Sequence, residues 1–282
     1  MTGHFSERTG AYRTSSGRTL LHTDEKTIAN VFADNGYATG MVGKWHLGDN
    51  APHPPQDRGF QDVVWHKCGG VGQASDYWGN DYFDDTYERN GKYEKFNGYC
   101  TDVWFEESLR FVKENKEEPF FLYLATNAPH GPYNVAPEWS DPYKDKVDWR
   151  SGAEFYGMIT NFDHNLGILR KRLEDMGIAE NTILIFMTDN GTANGGKFDG
   201  LDSEPSVGYS AGMRGKKSSI YNGGHRIPFF IYWPEGGLTG GTDIETLSAH
   251  IDVLPTLADL CNIKVPESHS PDGVYLKPLL KD

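Results

Sequence analysis

Lys44 and His46 stand two residues apart in the run Gly43-Lys44-Trp45-His46-Leu47-Gly48, where an apolar stretch, 37–42, gives way to a Gly-flanked turn. A cation and an imidazole so placed can grip an oxyanion and move a proton. On extended backbone both would project to one side, with Trp45 turned the other way as a packing anchor. The same pair also reads as a surface lysine and a core histidine. Asp189-Asn190-Gly191 follows a second apolar run, 182–187. A carboxylate and an amide oxygen side by side suit a hard divalent cation, calcium or magnesium, although the same residues are ordinary turn chemistry. Asn190-Gly191-Thr192 also matches the glycosylation pattern. His130, inside Pro129-His130-Gly131-Pro132, is either a third strand-end group or a rigid loop residue, and Lys216-Lys217 is either a pair of anion contacts or a solvated pair.

The elements that must carry these residues are legible in the periodicity. Helical spacing of Ile28, Ala29, Phe32 and Ala33 predicts a helix over 24–35, with Thr23 and Asp24 as caps and Gly36 as the stop. Further helices are expected over 101–114, 153–177 and 248–260. Continuous apolar runs at 119–125, 182–187 and 229–233 read as strands covered on both faces, so the chain alternates helix, strand and polar loop. That order predicts an α/β fold, a mostly parallel sheet with helices on both faces. Strand ends of one sense share one sheet edge, where Lys44, His46, His130, Asp189 and Asn190 would converge. Residues 49–99, rich in Gly, Pro, Asp and Tyr, show no sustained period and read as a long ordered loop excursion within a single domain, 1–282.

Composition narrows the function classes. With 27 Lys+Arg against 40 Asp+Glu the formal charge is −13, and no basic run interrupts it, so neither nucleic acid nor an anionic membrane is expected as a partner. No apolar run reaches the roughly 18 residues of a membrane span, and no signal-peptide pattern opens the chain. Cys68, Cys100 and Cys261 are too few and too scattered for a disulfide framework and form no CxxC pair.

Taken together, these pieces resemble the type I sulfatase family of the alkaline-phosphatase-like superfamily. The resemblance rests on 37–48, 128–132, 182–191, 213–228, 248–260 and 272–280, which match that family's landmarks in order. It implies that Lys44 and Lys217 hold sulfate oxygens and that His46 and His130 handle protons at the nucleophile and leaving group. Asp189 and Asn190 would bind calcium, with magnesium less favoured. Lys217 is preferred to Lys216 because the family's lysine sits four residues before the tyrosine that is here Tyr221; Asn222 departs from the family's usual glutamate. The implied substrate is a small-molecule or carbohydrate sulfate ester. A phosphoesterase or phosphonate hydrolase of the same superfamily, or a non-catalytic anion-binding pseudoenzyme, are the rival readings.

One family landmark is missing from the 282 residues: the Cys/Ser-x-Pro/Ala-x-Arg signature whose first residue becomes formylglycine. The resemblance places it upstream of Met1, together with a first strand and further metal ligands, and places a C-terminal subdomain beyond Asp282. It also implies a formylglycine-generating enzyme as partner of the full-length form, and a chain that is inactive and poorly stable alone. The compartment stays open; the resemblance implies only that full-length family members are often periplasmic, secreted or lysosomal.

Overall fold

A computed structural model describes residues 1–14, 19–147, 151–193 and 211–280. The Gly-rich stretch leading towards Arg214 and the terminal pair Lys281-Asp282 lie largely outside these residues. In chain order the elements are α1 (Ser6–Thr9), α2 (Ile28–Asp34), β1 (Ala38–Lys44), β2 (Asp62–His66), β3 (Thr86–Arg89), β4 (Lys92–Lys95), α3 (Cys100–Asn115), β5 (Phe120–Ala125), α4 (Pro137–Ser140), α5 (Gly152–Asp175), β6 (Leu184–Met187), α6 (Asn222–His225), β7 (Phe229–Tyr232), α7 (Val253–Leu260) and α8 (Lys277–Leu280). They fall into two compact units, one made of Met1–Asn127 with Thr242–Asp282 and the other of Ala128–Gly241.

The first unit is built on a five-stranded sheet of order β4-β3-β2-β1-β5. β1 pairs in parallel with both β2 and β5, whereas β3 and β4 add antiparallel at one edge. Successive strand residues face opposite ways, and β1 shows what each face meets. Met41 joins Ala29 of α2, Trp45, Phe60, Val63 and Trp65 in a buried cluster. Gly40 points the other way, where a Cβ would lie 2.7 Å from Phe111 of α3. The sheet is therefore covered by a helix on each side, as the apolar runs predicted.

α2 begins later than expected. Its cap is Thr27, whose hydroxyl accepts from Asn30 N at 3.2 Å while Asn30 Oδ1 accepts from Thr27 N at 3.0 Å, a reciprocal capping box. Thr23 and Asp24 precede it by a turn and play no such part. The larger correction concerns residues 49–99, which contain β2, β3 and β4 rather than loop alone. These strands have four or five residues each, and β3 and β4 carry mostly polar side chains, Lys92–Lys95 being exposed throughout, so no period could accumulate in the sequence. The hairpin is tied to α3 by Arg89, which forks onto both oxygens of Glu107 at 2.7 and 2.8 Å.

In the second unit α5 runs almost as its periodicity predicts, with Gly177 at φ 72° just past its end. β6 and β7 form a two-stranded antiparallel sheet. Phe162 of α5 packs on Phe186 of β6, with ring centroids 5.7 Å apart, and Phe186 meets Phe230 of β7 at 6.1 Å. Among the described residues, no helix is long and apolar enough to cross a membrane.

Candidate functional site

Lys44 closes β1, half-buried, in direct register with His66 at the end of β2. The turn that follows is held from several sides. Trp45 is 5% exposed, donates its indole N–H to His53 O at 2.9 Å and meets Phe60 edge-on. This is the anchoring expected of it. His46 departs from the extended geometry predicted, with φ at 57°, so its direction is set by a left-handed turn and not by strand alternation. Its imidazole lies against Gly69, where a Cβ would fall 2.5 Å from Cε1. Asp49 draws the 67–75 loop over the same turn, accepting from Cys68 N at 3.0 Å and from the Ser75 hydroxyl.

The structure adds His66, which sequence reasoning passed over. It is 1% exposed, its Nδ1 donates to Lys67 O at 3.0 Å, and its Nε2 is buried with no hydrogen-bond partner among the described residues. Burial drives its pKa down to about 4, and the positive charge of Lys44 and His46 acts in the same sense against the bond to Lys67 and the charge of Asp49. His66 is thus a neutral imidazole, its buried Nε2 lone pair without a partner among the described residues, in register with the Lys44 cation. Asn127, just beyond β5, accepts from Trp104 Nε1 at 3.0 Å and has a buried Nδ2 that is likewise without a partner. The only prior signal for His66 is its place at the end of a short apolar run.

Asp189 and Asn190 lie in the second unit, just past β6, with Asp189 exposed and Asn190 half-buried. Here four glycines allow backbones to touch. Gly191 N donates to Gly224 O at 2.9 Å and Gly223 N to Arg214 O at 2.8 Å. A Cβ on Gly191 would sit 2.0 Å from Gly223 O, and one on Gly223 would sit 2.1 Å from Gly215 O. This knot brings in the lysine pair, because Lys217 N donates to Thr192 O at 2.7 Å. The backbone around 191–192 and that of 214–224 are therefore held together, with Asp189 and Asn190 just before the first segment and Lys217 within the second. His130 belongs to the same unit, half-buried, with Nδ1 bonded to Gly131 O at 2.7 Å.

The chemistry of Asp189-Asn190 fits a hard cation. Asn190 Nδ2 donates to Gly191 O at 3.0 Å, which uses the amide's donor locally and leaves its oxygen, with the Asp189 carboxylate, for a metal. Two side chains supply only part of the six to eight oxygens that calcium takes. Two of the three cysteines are held as thiols: burial pushes the Cys100 thiol far up, and Cys261 is raised by the same cause.

Known proteins resemble this chain along essentially its whole length. A family model described as Sulfatase matches residues 1–263. An arylsulfatase of Hemicentrotus pulcherrimus is 30% identical, covering 99% of this chain and 51% of its own length. A protein of Escherichia coli (strain K12) described as an uncharacterized sulfatase, YdeN, is 29% identical over 100% of this chain and 51% of its own. Among solved structures, Ps i-CgsB in complex with k-i-k-neocarrahexaose superimposes with a TM-score of 0.84 at 29% identity, over 99% of this chain and 63% of that one. The chain thus spans about half the length of the curated relatives it matches.

Proposed function

We propose, from the premise that this chain belongs to the sulfatase family, that the complete protein is a sulfuric ester hydrolase and that its substrate is a carbohydrate sulfate ester. The observation that carries the activity is Lys44 at the end of β1, in register with a buried neutral His66 and two residues from His46, in a chain matched to that family over residues 1–263. The substrate class rests on the likeness to a structure solved with neocarrahexaose.

In this reading the ammonium groups of Lys44 and Lys217 donate to sulfuryl oxygens, holding them and stabilising the charge they gain as the S–O bond breaks. The imidazoles of His46 and His130 move the protons, one at the attacking group and one at the departing oxygen, which leaves as a hydroxyl. His66, kept neutral by burial, adds no charge of its own beside Lys44. Calcium held by Asp189 and Asn190 would supply further positive charge, and a formylglycine hydrate would supply the nucleophile.

The test is the full-length form co-expressed with a formylglycine-generating enzyme and assayed on an aryl sulfate and on sulfated oligosaccharides. Lys44→Ala should slow turnover by about 10²–10³, the usual loss for one preorganised contact to developing charge. A variant as fast as wild type removes Lys44 from the site, and turnover of phosphate esters in place of sulfate esters overturns the reaction class.

A further inference from the structure

We infer that His4, Glu25 and His269, in the first unit, form a binding site for a divalent transition ion of the zinc class. The three residues come from distant parts of the chain, yet each offers a ligand atom within 4.8 Å of the others'. His4 and His269 are 9% and 5% exposed, and the Glu25 side chain is 12% exposed. The two imidazoles lie with ring centroids 4.4 Å apart.

The hydrogen bonds around the rings fix which nitrogen of each is left for an ion. His4 Nε2 lies 2.8 Å from Ser270 O, and His269 Nε2 lies 2.7 Å from Thr2 O. A ring nitrogen facing a carbonyl must carry a proton and donate it, so both Nε2 atoms are N–H groups anchored on backbone. Metal-binding histidines fix their tautomer and orientation in this way, and the lone pair left for an ion is on Nδ1. In His4 that nitrogen lies 2.8 Å from Glu25 Oε2.

Without an ion the short His4–Glu25 contact is bridged by a proton. An ion takes its place and releases that proton, leaving a neutral imidazole and a carboxylate as ligands. Zinc–ligand distances of about 2.0–2.2 Å in a tetrahedron set ligands roughly 3.3 Å apart, so the His4–Glu25 pair opens by about half an ångström. Two imidazole nitrogens and one carboxylate oxygen favour zinc, nickel or copper over calcium or magnesium, the reverse of the all-oxygen pair Asp189-Asn190. A fourth position remains for water. The bound ion would join the segments at 2–4, 25 and 269–270 in one cross-link.

Titrate the chelator-treated chain with Zn²⁺ by calorimetry and with Co²⁺ by visible absorption, with calcium present to saturate oxygen-only sites. One Zn²⁺ should bind at ~micromolar concentration or below with proton release, and Co²⁺ should give a tetrahedral spectrum that Zn²⁺ abolishes. Glu25→Gln and His269→Gln, which keep a hydrogen-bonding amide, should each weaken Zn²⁺ by more than about tenfold while far-UV circular dichroism is unchanged. Absence of saturable 1:1 Zn²⁺ binding to wild type, an octahedral Co²⁺ spectrum, or undiminished affinity in both folded variants overturns the site. If a variant does not fold, the wild-type Co²⁺ spectrum decides.

Discussion

β1 and β6 look alike as sequence and are supported in different ways. Each is a short apolar run that ends in residues proposed for the site. β1 has a parallel partner on either side, and its residues between Ala38 and Lys44 are all buried. β6 has one antiparallel partner, β7, among the described residues, and every one of its residues is only half-buried. Lys44 therefore takes its position from a sheet, and Asp189 takes its own from backbone packed on backbone at Gly191, Gly215, Gly223 and Gly224. An apolar run announces a strand, but it does not say how firmly the residue at its end is held.

The sharpest way to break this comparison is to put a side chain at the glycine beside each site. Gly43 has φ 105°, and a Cβ there would fall 2.2 Å from Ala125 O, which is backbone of the paired strand. Gly43→Val combines left-handed strain with a clash that only separation of β1 from β5 can relieve. It should cost more than about 4 kcal/mol in urea unfolding. Gly191→Ala brings a comparable clash, 2.0 Å from Gly223 O, into a knot that can yield without dismantling a central strand. It should cost about 1–3 kcal/mol. An equal or larger loss at Gly191 would mean that the knot, and not the sheet, is the firmer support.

The sequence alone carried the strand ends and the fold class because these depend on local pattern. β1, β5, α3 and α5 are long enough for periodicity to speak, and Lys44 and Asp189 sit where such patterns stop. What stayed hidden depends on pairing. His66 matters because β2 lies beside β1 in a register that opposes it to Lys44, and nothing within Asp62–His66 says so. His4 and His269 are 265 residues apart and become neighbours only through the fold. The glycine knot was visible as composition, yet which glycine meets which carbonyl is a tertiary fact.

A second test uses acid, since the first unit buries a titratable group at its site. His66 has a pKa near 6.5 unfolded and about 4 folded. Between these values the unfolded chain binds the proton and the folded chain does not, so stability falls as pH drops from 6.5 towards 4 and is fully regained above 6.5. This group accounts for ~3 kcal/mol over that window. His66→Gln should flatten the pH dependence of urea unfolding by about that amount, whatever it does to stability at pH 8. A slope unchanged by the substitution would place His66 in contact with water and would weaken the contrast between a buried and an open site.

The smallest expected effect probes the open side of the comparison. Phe230 on β7 is 64% exposed and touches Phe186 at a centroid distance of 6.1 Å. If the β6–β7 sheet contributes little burial on that face, Phe230→Thr removes one loose aromatic contact and keeps a residue with good strand propensity. Its cost should stay below about 1 kcal/mol in thermal or urea unfolding. A loss of 3 kcal/mol or more, the range of a truncated core phenylalanine, would show that this face is covered in solution, and β6 would then be supported as fully as β1.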